Sequence, residues 1–267
     1  MKGKGDLMEQ PLNNLCDNSA DYNIRSIMRA IAIVNVIAQS PKRLSLTDIS
    51  LSSHLSKTTV LRILSNLQRA GWVYRFEDER YSLGFKLLAI SKNVESALTS
   101  YKAIHDVLLR VSADTHETVL FSIWDGSDAV CVDKVTGTFY VSVVQVVNEI
   151  TPINAGATGF ATLMTMKEAD AKEILCKNNF TAYTANTPTT IESLLCKYDE
   201  MQKNGYVVTV GEKDEGIVGI AIGVYLGYEK VHGSISIVAP ENRVDKPRLA
   251  SLVERLLLEK KRLDAIV

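Results

Sequence analysis

Ser56-Lys57-Thr58-Thr59-Val60-Leu61-Arg62-Ile63-Leu64-Ser65-Asn66-Leu67-Gln68-Arg69-Ala70-Gly71 has two unlike faces when wound as an α-helix. At about 100° per residue, Val60, Ile63, Leu64 and Leu67 share one side, and Thr58, Arg62, Ser65 and Arg69 share the other. Ser56 is placed to cap the first turn and Gly71 to end the last. The aliphatic side needs a core to bury it. The hydroxyl and guanidinium side suits a DNA major groove, where Arg donates two bonds to guanine O6/N7 and Ser or Thr reaches bases or phosphates.

The flanking sequence supports that reading. Upstream, Ser45-Leu46-Thr47-Asp48 has the form of a capping box opening a short helix over Leu46–Ser52, and His54-Leu55 supplies the turn. Before it, Ile24, Ile27, Met28, Ile31, Val34, Ile37 and Ala38 recur at helical spacing until Ser40-Pro41 stops the run. Downstream, Trp72-Val73-Tyr74-Arg75 and Arg80-Tyr81-Ser82-Leu83 are β-prone runs about the polar turn Phe76-Glu77-Asp78-Glu79, a hairpin or wing. The order of short helix, turn, capped hydroxyl-rich helix, Gly and basic hairpin predicts a winged helix-turn-helix over residues 23–84, after a flexible segment 1–22. Its expected DNA contacts are Ser56, Lys57, Thr58, Thr59, Arg62, Ser65 and Arg69 on the helix and Arg75 and Arg80 on the wing, with Arg62 aimed at bases and Lys57 at phosphate.

Charge follows the same division. The 267 residues carry a net charge of −1, yet residues 23–86 hold 10 basic against 4 acidic side chains, and residues 87–267 hold 18 against 23. A positive segment joined to a negative one is what a polyanionic partner requires of a chain that must not bind anions everywhere. The composition, 46% hydrophobic with 15 Gly, 6 Pro and 4 Cys, excludes collagen, disordered and disulfide-scaffold classes. Cys16, Cys131, Cys176 and Cys196 have neither C-x-x-C pairing nor metal-ligand spacing, so buried structural thiols are expected and no metal or cofactor. The longest nearly uncharged run, Gly216 to Gly227, is glycine-interrupted and short of the ~18 residues of a membrane span. The polar N-terminus has no apolar stretch of a secretory signal, so a cytoplasmic location is expected.

Beyond Gly84, a linker helix is expected to about Ser100, within 85–101, and a second helix from about Ala103 to Thr115. Strand-like runs follow at Thr118–Trp124, Ala129–Lys134, Phe139–Val147, Tyr206–Val210, Val218–Tyr225 and Val231–Val238. Helical stretches intervene near Gly159–Met166, Lys167–Lys177 and Ile191–Asn204, and a last helix covers Pro247–Leu263. Residues 102–267 therefore read as an α+β domain on a largely antiparallel sheet. Gly216, Gly219, Gly223 and Gly227 match neither phosphate-loop spacing and read as strand-edge turns. Of four histidines, His116 neighbours a carboxylate, Glu117, but adjacent residues rarely converge on one site, and H-E-x-x-H and G-x-S-x-G are missing. An enzyme acting on a small metabolite with an appended nucleic-acid module is the alternative reading, and a structural dimerisation protein the third.

These motifs have a family likeness. Ser26 to Ile33, Leu46-Thr47-Asp48-Ile49, Leu55 to Leu64, Leu67 with Gly71-Trp72-Val73, and Tyr81-Ser82-Leu83-Gly84 resemble the consecutive motifs of the IclR family of bacterial transcriptional regulators. Glu117 to Leu120, Asp125-Gly126, Pro152 to Gly159, Gly205-Tyr206, Glu212 with Gly216-Ile217, and Ser234 to Ser236 through Pro240 extend the resemblance over about residues 24 to 265. Ser53 and His54 depart from it in the turn. The resemblance implies a C-terminal GAF-like effector-binding domain that sets DNA affinity, and a pocket lined by Tyr140, Val143, Ala157, Thr158, Ile217, Gly219, Ser236 and Val238. Asn154, Phe160, Thr209 and Val238 replace His, Lys, an acid and a second Ser, which makes that pocket less polar. Amides at the start of the helix after Pro152 favour an anion, so the implied effector is an organic or sugar acid. Repression is the family's commoner mode, and the resemblance implies a homodimer or homotetramer; a dimer on a double-stranded two-half-site operator also follows from the few base pairs that one winged helix reads.

Overall fold

A computed structural model describes residues 24–97, 99–143, 146–177 and 180–264; the expected flexible segment 1–22 lies outside them. The chain divides into two compact units that part between Ala97 and Leu98, inside the span read as linker.

The first unit contains α1 (Arg25–Gln39), α2 (Leu46–Ser52), α3 (Lys57–Arg69), β1 (Val73–Arg75), β2 (Tyr81–Leu83) and α4 (Lys86–Ala97). α2 starts because Ser45 Oγ accepts the Asp48 amide (3.2 Å) while the Asp48 carboxylate accepts the Ser45 amide (2.8 Å). The Ser45 hydroxyl also donates to the Asp48 carboxylate (2.6 Å), and that bond, together with the one from the Ser45 amide, holds the Asp48 carboxyl below its ordinary range. α3 ends at Gly71, whose φ of 77° is open to glycine without strain. Its exit feeds the β1–β2 hairpin, which Leu44 extends by pairing with Tyr81. Ile33, Ile37, Ile49, Val60, Leu64, Val73 and Tyr81 form the core. The stripe expected on α1 is corrected: the helix turns Ile33 and Ile37 inward and leaves Ile24, Ile27 and Ile31 58%, 51% and 43% exposed.

In the second unit, six antiparallel strands run in the order β5-β4-β3-β8-β7-β6, from β3 (Thr118–Trp124), β4 (Ala129–Val135), β5 (Ile150–Thr151), β6 (Val207–Val210), β7 (Ile217–Leu226) and β8 (Val231–Pro240). α5 (Thr99–Thr115) and α9 (Lys246–Leu263) cover one face, where Ile104, Leu108, Leu252 and Leu256 meet Val119, Ile220, Ile222, Ile235 and Ile237. The other face carries α6 (Ala157–Thr162), α7 (Glu168–Lys177) and α8 (Ile191–Asn204) over Ala221, through Phe160, Leu175, Leu194 and Tyr198. Period-two alternation along β7 and β8 separates the layers. Among the described residues no helix is long and apolar enough to cross a membrane.

Three expectations fail here. Residues 139–141 form bends and 142–143 are irregular, with no strand, because side chains take up the backbone groups a ladder would use: Arg243 Nη1 donates to Val141 O (2.6 Å) and Thr118 Oγ1 to Val143 O (3.1 Å). Gly219 and Gly223 lie inside β7, not at strand-edge turns. A side chain at Gly223 would stand 2.8 Å from Ala161 O, so its absence lets the α6 layer lie directly on the strand. Cys131 is buried, but Cys176 and Cys196 are exposed.

α5 and α9 are joined through Glu259, which is 0% exposed. Its carboxylate receives Arg110 (2.8 Å), Arg255 (2.7 Å) and Arg262 (2.8 Å). Burial alone would raise its pKa, but the hydrogen bonds from Arg110 and Arg255 outweigh burial and hold it at about 2, against an ordinary value of 4.5. The lowered value means that this stabilisation is complete above pH 4.5 and is lost as pH falls toward about 2. Glu259→Gln is expected to destabilise the second unit at neutral pH by about 3–5 kcal/mol, the cost of breaking a buried pair. Denaturant titrations at pH 7 and across pH 5 to 2 check this: the variant should also lose part of the wild-type acid sensitivity.

Candidate nucleic-acid interface and effector pocket

α3 is partitioned as its sequence requires. Val60 and Leu64 are fully buried, while Ser56, Lys57, Thr58, Arg62, Ser65 and Arg69 are exposed and Thr59 is half-buried. Ser56 caps the helix by accepting the Thr59 amide (3.3 Å). The Ser65 hydroxyl donates to Leu61 O (2.8 Å), which leaves its lone pairs for an incoming donor. The exposed stripe is thus two guanidiniums and short hydroxyls on one cylinder side, at the end of a tight turn. That turn survives the departures at 53 and 54. Ser53 Oγ donates to Ile49 O (2.6 Å), and His54 takes the left-handed conformation at φ 52° that Gly would hold without strain.

The wing arginines are partly engaged. Arg75 pairs with Glu79 (2.8 Å), and Arg80 donates to Arg43 O (3.1 Å). Arg43 itself lies 3.4 Å from the Phe76 ring centroid, a cation–π contact that brings a further charge to the wing. Sequence spacing gave no reason to single it out, because its partner lies in the hairpin turn.

In the second unit, Val143, Ala157, Thr158, Ile217, Gly219 and Val238 line one small cavity of about 50 Å³. Ser236 sits beneath them and shares a 2.8 Å hydrogen bond with Thr158 Oγ1. Tyr140 is the exception and is corrected: with no strand to orient it, its ring stands fully in solvent, 105% exposed. Thr151, Gly156, Thr209, Glu212, Lys213 and Asp214 complete the lining. None of these was on the expected list, although Gly156 and Glu212 belonged to quoted motifs and Thr209 to the departures. α6 begins at Gly156, and its first amides lack partners within the helix. Glu212 fixes that start by accepting the Gly156 amide (3.2 Å). Lys197 in turn holds Glu212 at 2.5 Å and lies 4.7 Å from the Phe160 ring centroid. Burial pulls the Lys197 pKa down against the attraction of Glu212.

His116 and Glu117 do not converge. His116 Nδ1 meets Thr138 Oγ1 (2.9 Å), while Glu117 is buried against Arg243 (2.6 Å). The Cys131 thiol is pushed up to about 11 by burial, so it stays protonated.

Comparison with known proteins agrees with both halves. A family model described as "IclR helix-turn-helix domain" matches residues 26–76, and one described as "Bacterial transcriptional regulator IclR C-terminal" matches residues 96–263. The chain belongs to the IclR family. It is therefore a DNA-binding transcriptional regulator of helix-turn-helix type, and its family is one of regulators rather than enzymes. Among its IclR relatives is the HTH-type transcriptional repressor AllR of Escherichia coli (strain K12), 27% identical over 240 residues, 87% of this chain and 86% of that one. An IclR transcriptional regulator from Alicyclobacillus acidocaldarius shares the fold with a TM-score of 0.83 at 23% identity, over 91% of this chain and 99% of that one. So does an IclR homologue from Microbacterium hydrocarbonoxydans complexed with 4-hydroxybenzoate, with a TM-score of 0.75 at 19% identity, over 90% and 98% of the two chains.

His54 gives this IclR turn a test. A left-handed non-glycine residue costs about 1–2 kcal/mol, and glycine gives back about 0.5–1 kcal/mol through unfolded-chain entropy. His54→Gly should therefore stabilise the winged unit by up to about 1 kcal/mol in urea denaturation. A loss of stability would show that the His54 side chain, not its backbone, matters.

Proposed function

We propose that this regulator represses transcription by laying α3 in the major groove of a two-half-site operator, and that a small carboxylate-bearing metabolite in the second unit's cavity changes its DNA affinity. The observation that carries the reading is the exposed Thr58, Arg62, Ser65 and Arg69 stripe over a buried Val60 and Leu64. Ser56, Lys57, Thr59, Arg75 and Arg80 then serve phosphate contacts and register, which fix orientation without reading sequence. Repression is supported by the name of AllR, and the effector class by the 4-hydroxybenzoate bound to a structural neighbour. The cavity lining of Val143, Ala157, Thr158, Ile217, Gly219 and Val238 over Ser236 gives an acid a mostly apolar seat with buried hydroxyls. Such a ligand acts only by binding the DNA-competent and incompetent arrangements unequally, and a coupling of about 1–3 kcal/mol moves operator affinity roughly 5- to 150-fold.

Dimerisation has support of its own. Ile24 at the start of α1, Ile27 and Ile31 on it, and Leu88 and Val94 on α4 are 43–59% exposed, more apolar side chain than a monomeric DNA-binding module needs to show. We assign the homodimer contact to these stripes, with a homotetramer its further assembly, and place the protein in the cytoplasm with the DNA it binds.

The test compares an operator fragment recovered by mapping bound genomic sites with a random duplex of equal length. Affinity for both should fall steeply with salt, as counterion release demands. Arg62→Ala should lower operator affinity by about 1–3 kcal/mol and shrink the operator-to-random ratio, whereas Lys57→Ala should weaken both duplexes alike. Equal losses on both duplexes for Arg62→Ala would remove its base-reading role.

A further inference from the structure

We infer that Lys213 is the residue that recognises the effector's carboxylate, and that Glu149 occupies it as an intramolecular substitute until the effector arrives. This rests on the reading of the cavity as a seat for a small organic acid. Lys213 is the one basic side chain among the described residues of the lining, which also includes Glu212 and Asp214. An anion entering there meets two carboxylates and needs a cation to offset them, since isolated charges are costly to bring out of water. Lys197 cannot supply it, because its ammonium is committed to both Glu212 oxygens at 2.8 and 2.5 Å. Lys213 can. Its Nζ lies 2.6 Å from Glu149 Oε1, with the two side chains 21% and 35% exposed, so water reaches the pair and it can exchange.

The surroundings fit an exchange. The Lys213 Cβ lies 3.8 Å from where a Cβ on Gly156 would stand, which puts the base of the lysine beside the residue that opens α6. Glu149 keeps other partners when released: Oε2 already accepts the Val146 amide (3.1 Å), and its backbone carbonyl accepts the Cys131 amide (3.0 Å), so the segment loosens without losing its place. A carboxylate ligand can therefore take the lysine one-for-one and leave Glu149 to water. A neutral isostere offers no such trade. The proposal makes the pocket selective for charge through an ion pair that no sequence pattern announced, since residues 149 and 213 come from connections on either side of α6 in the chain.

The experiment uses the full chain and four probes, 4-hydroxybenzoate and propionate with their amides, titrated calorimetrically into wild type, Glu149→Gln, Lys213→Gln and Lys213→Arg. Thermal melts first establish that each variant is folded, and hydrogen exchange of ligand-free protein follows residues 146–151 and 211–217. The expected results are faster exchange in both segments for Glu149→Gln and Lys213→Gln, and carboxylate affinity raised about two- to fivefold by Glu149→Gln, the removal of a partly exposed competing pair. Lys213→Gln should abolish carboxylate binding, Lys213→Arg should keep it, and the amides should bind no variant better than another. Carboxylate binding that Lys213→Gln leaves intact, or that Glu149→Gln fails to tighten, overturns the role of Lys213 while leaving the carboxylate reading standing. Amides that bind wild type as well as the acids do, or acids that bind no variant, overturn the carboxylate reading and this proposal with it.

Discussion

The burial of Val60 and Leu64 is the contact on which this molecule's use depends. Both are 0% exposed in a core shared with Ile33, Ile37, Ile49, Val73 and Tyr81. Side chains at i and i+4 share a helix face, so fixing those two inward fixes Thr58, Arg62, Ser65 and Arg69 outward. The Ser45–Asp48 box and the Ser56 cap set where α2 and α3 start, and His54 and Gly71 set where they turn and stop. The rotation of α3 about its own axis follows from the burial of its apolar side in that core.

The second unit answers to a different constraint, the fit of a short helix to a sheet. α6 rests on β7 at glycines, and below it Ser234 donates to Thr158 O (2.8 Å) while Ser236 meets the Thr158 hydroxyl. The same closeness that seals this layer leaves room for only a small cavity at the start of α6. Its walls come from β6, β7, β8 and the connection before β5, so a ligand there touches several elements at once. On the opposite face, the arginines around Glu259 fasten α5 to α9 and keep the sheet covered.

What the sequence made legible was whatever depends on periodicity and local chemistry. α2 runs over Leu46–Ser52, β3 over Thr118–Trp124 and α8 over Ile191–Asn204, as their patterns and caps require. Reading failed where a distant side chain intervenes. Apolar alternation at Phe139–Val147 suggested a strand, but Arg243, about a hundred positions later, reaches Val141 O and stacks 4.5 Å from the Phe139 ring centroid, and Tyr140 is left in solvent. α1 carries apolar residues on two sides, and spacing could not say which side the core would take. Phe160, a departure from the family's Lys, looked like lost polarity; α8 returns a cation there through Lys197, which no local motif could reveal.

The most direct test of the central claim is thiol protection on α3. In a Thr58→Cys variant, alkylation at position 58 is followed by peptide mass spectrometry with and without operator duplex, with the exposed native Cys176 of the other unit as internal reference. The account predicts that duplex slows alkylation at 58 severalfold and leaves Cys176 unchanged. Equal alkylation at 58 with the duplex demonstrably bound would contradict it, because the outward face of α3 would then not be the surface that meets DNA.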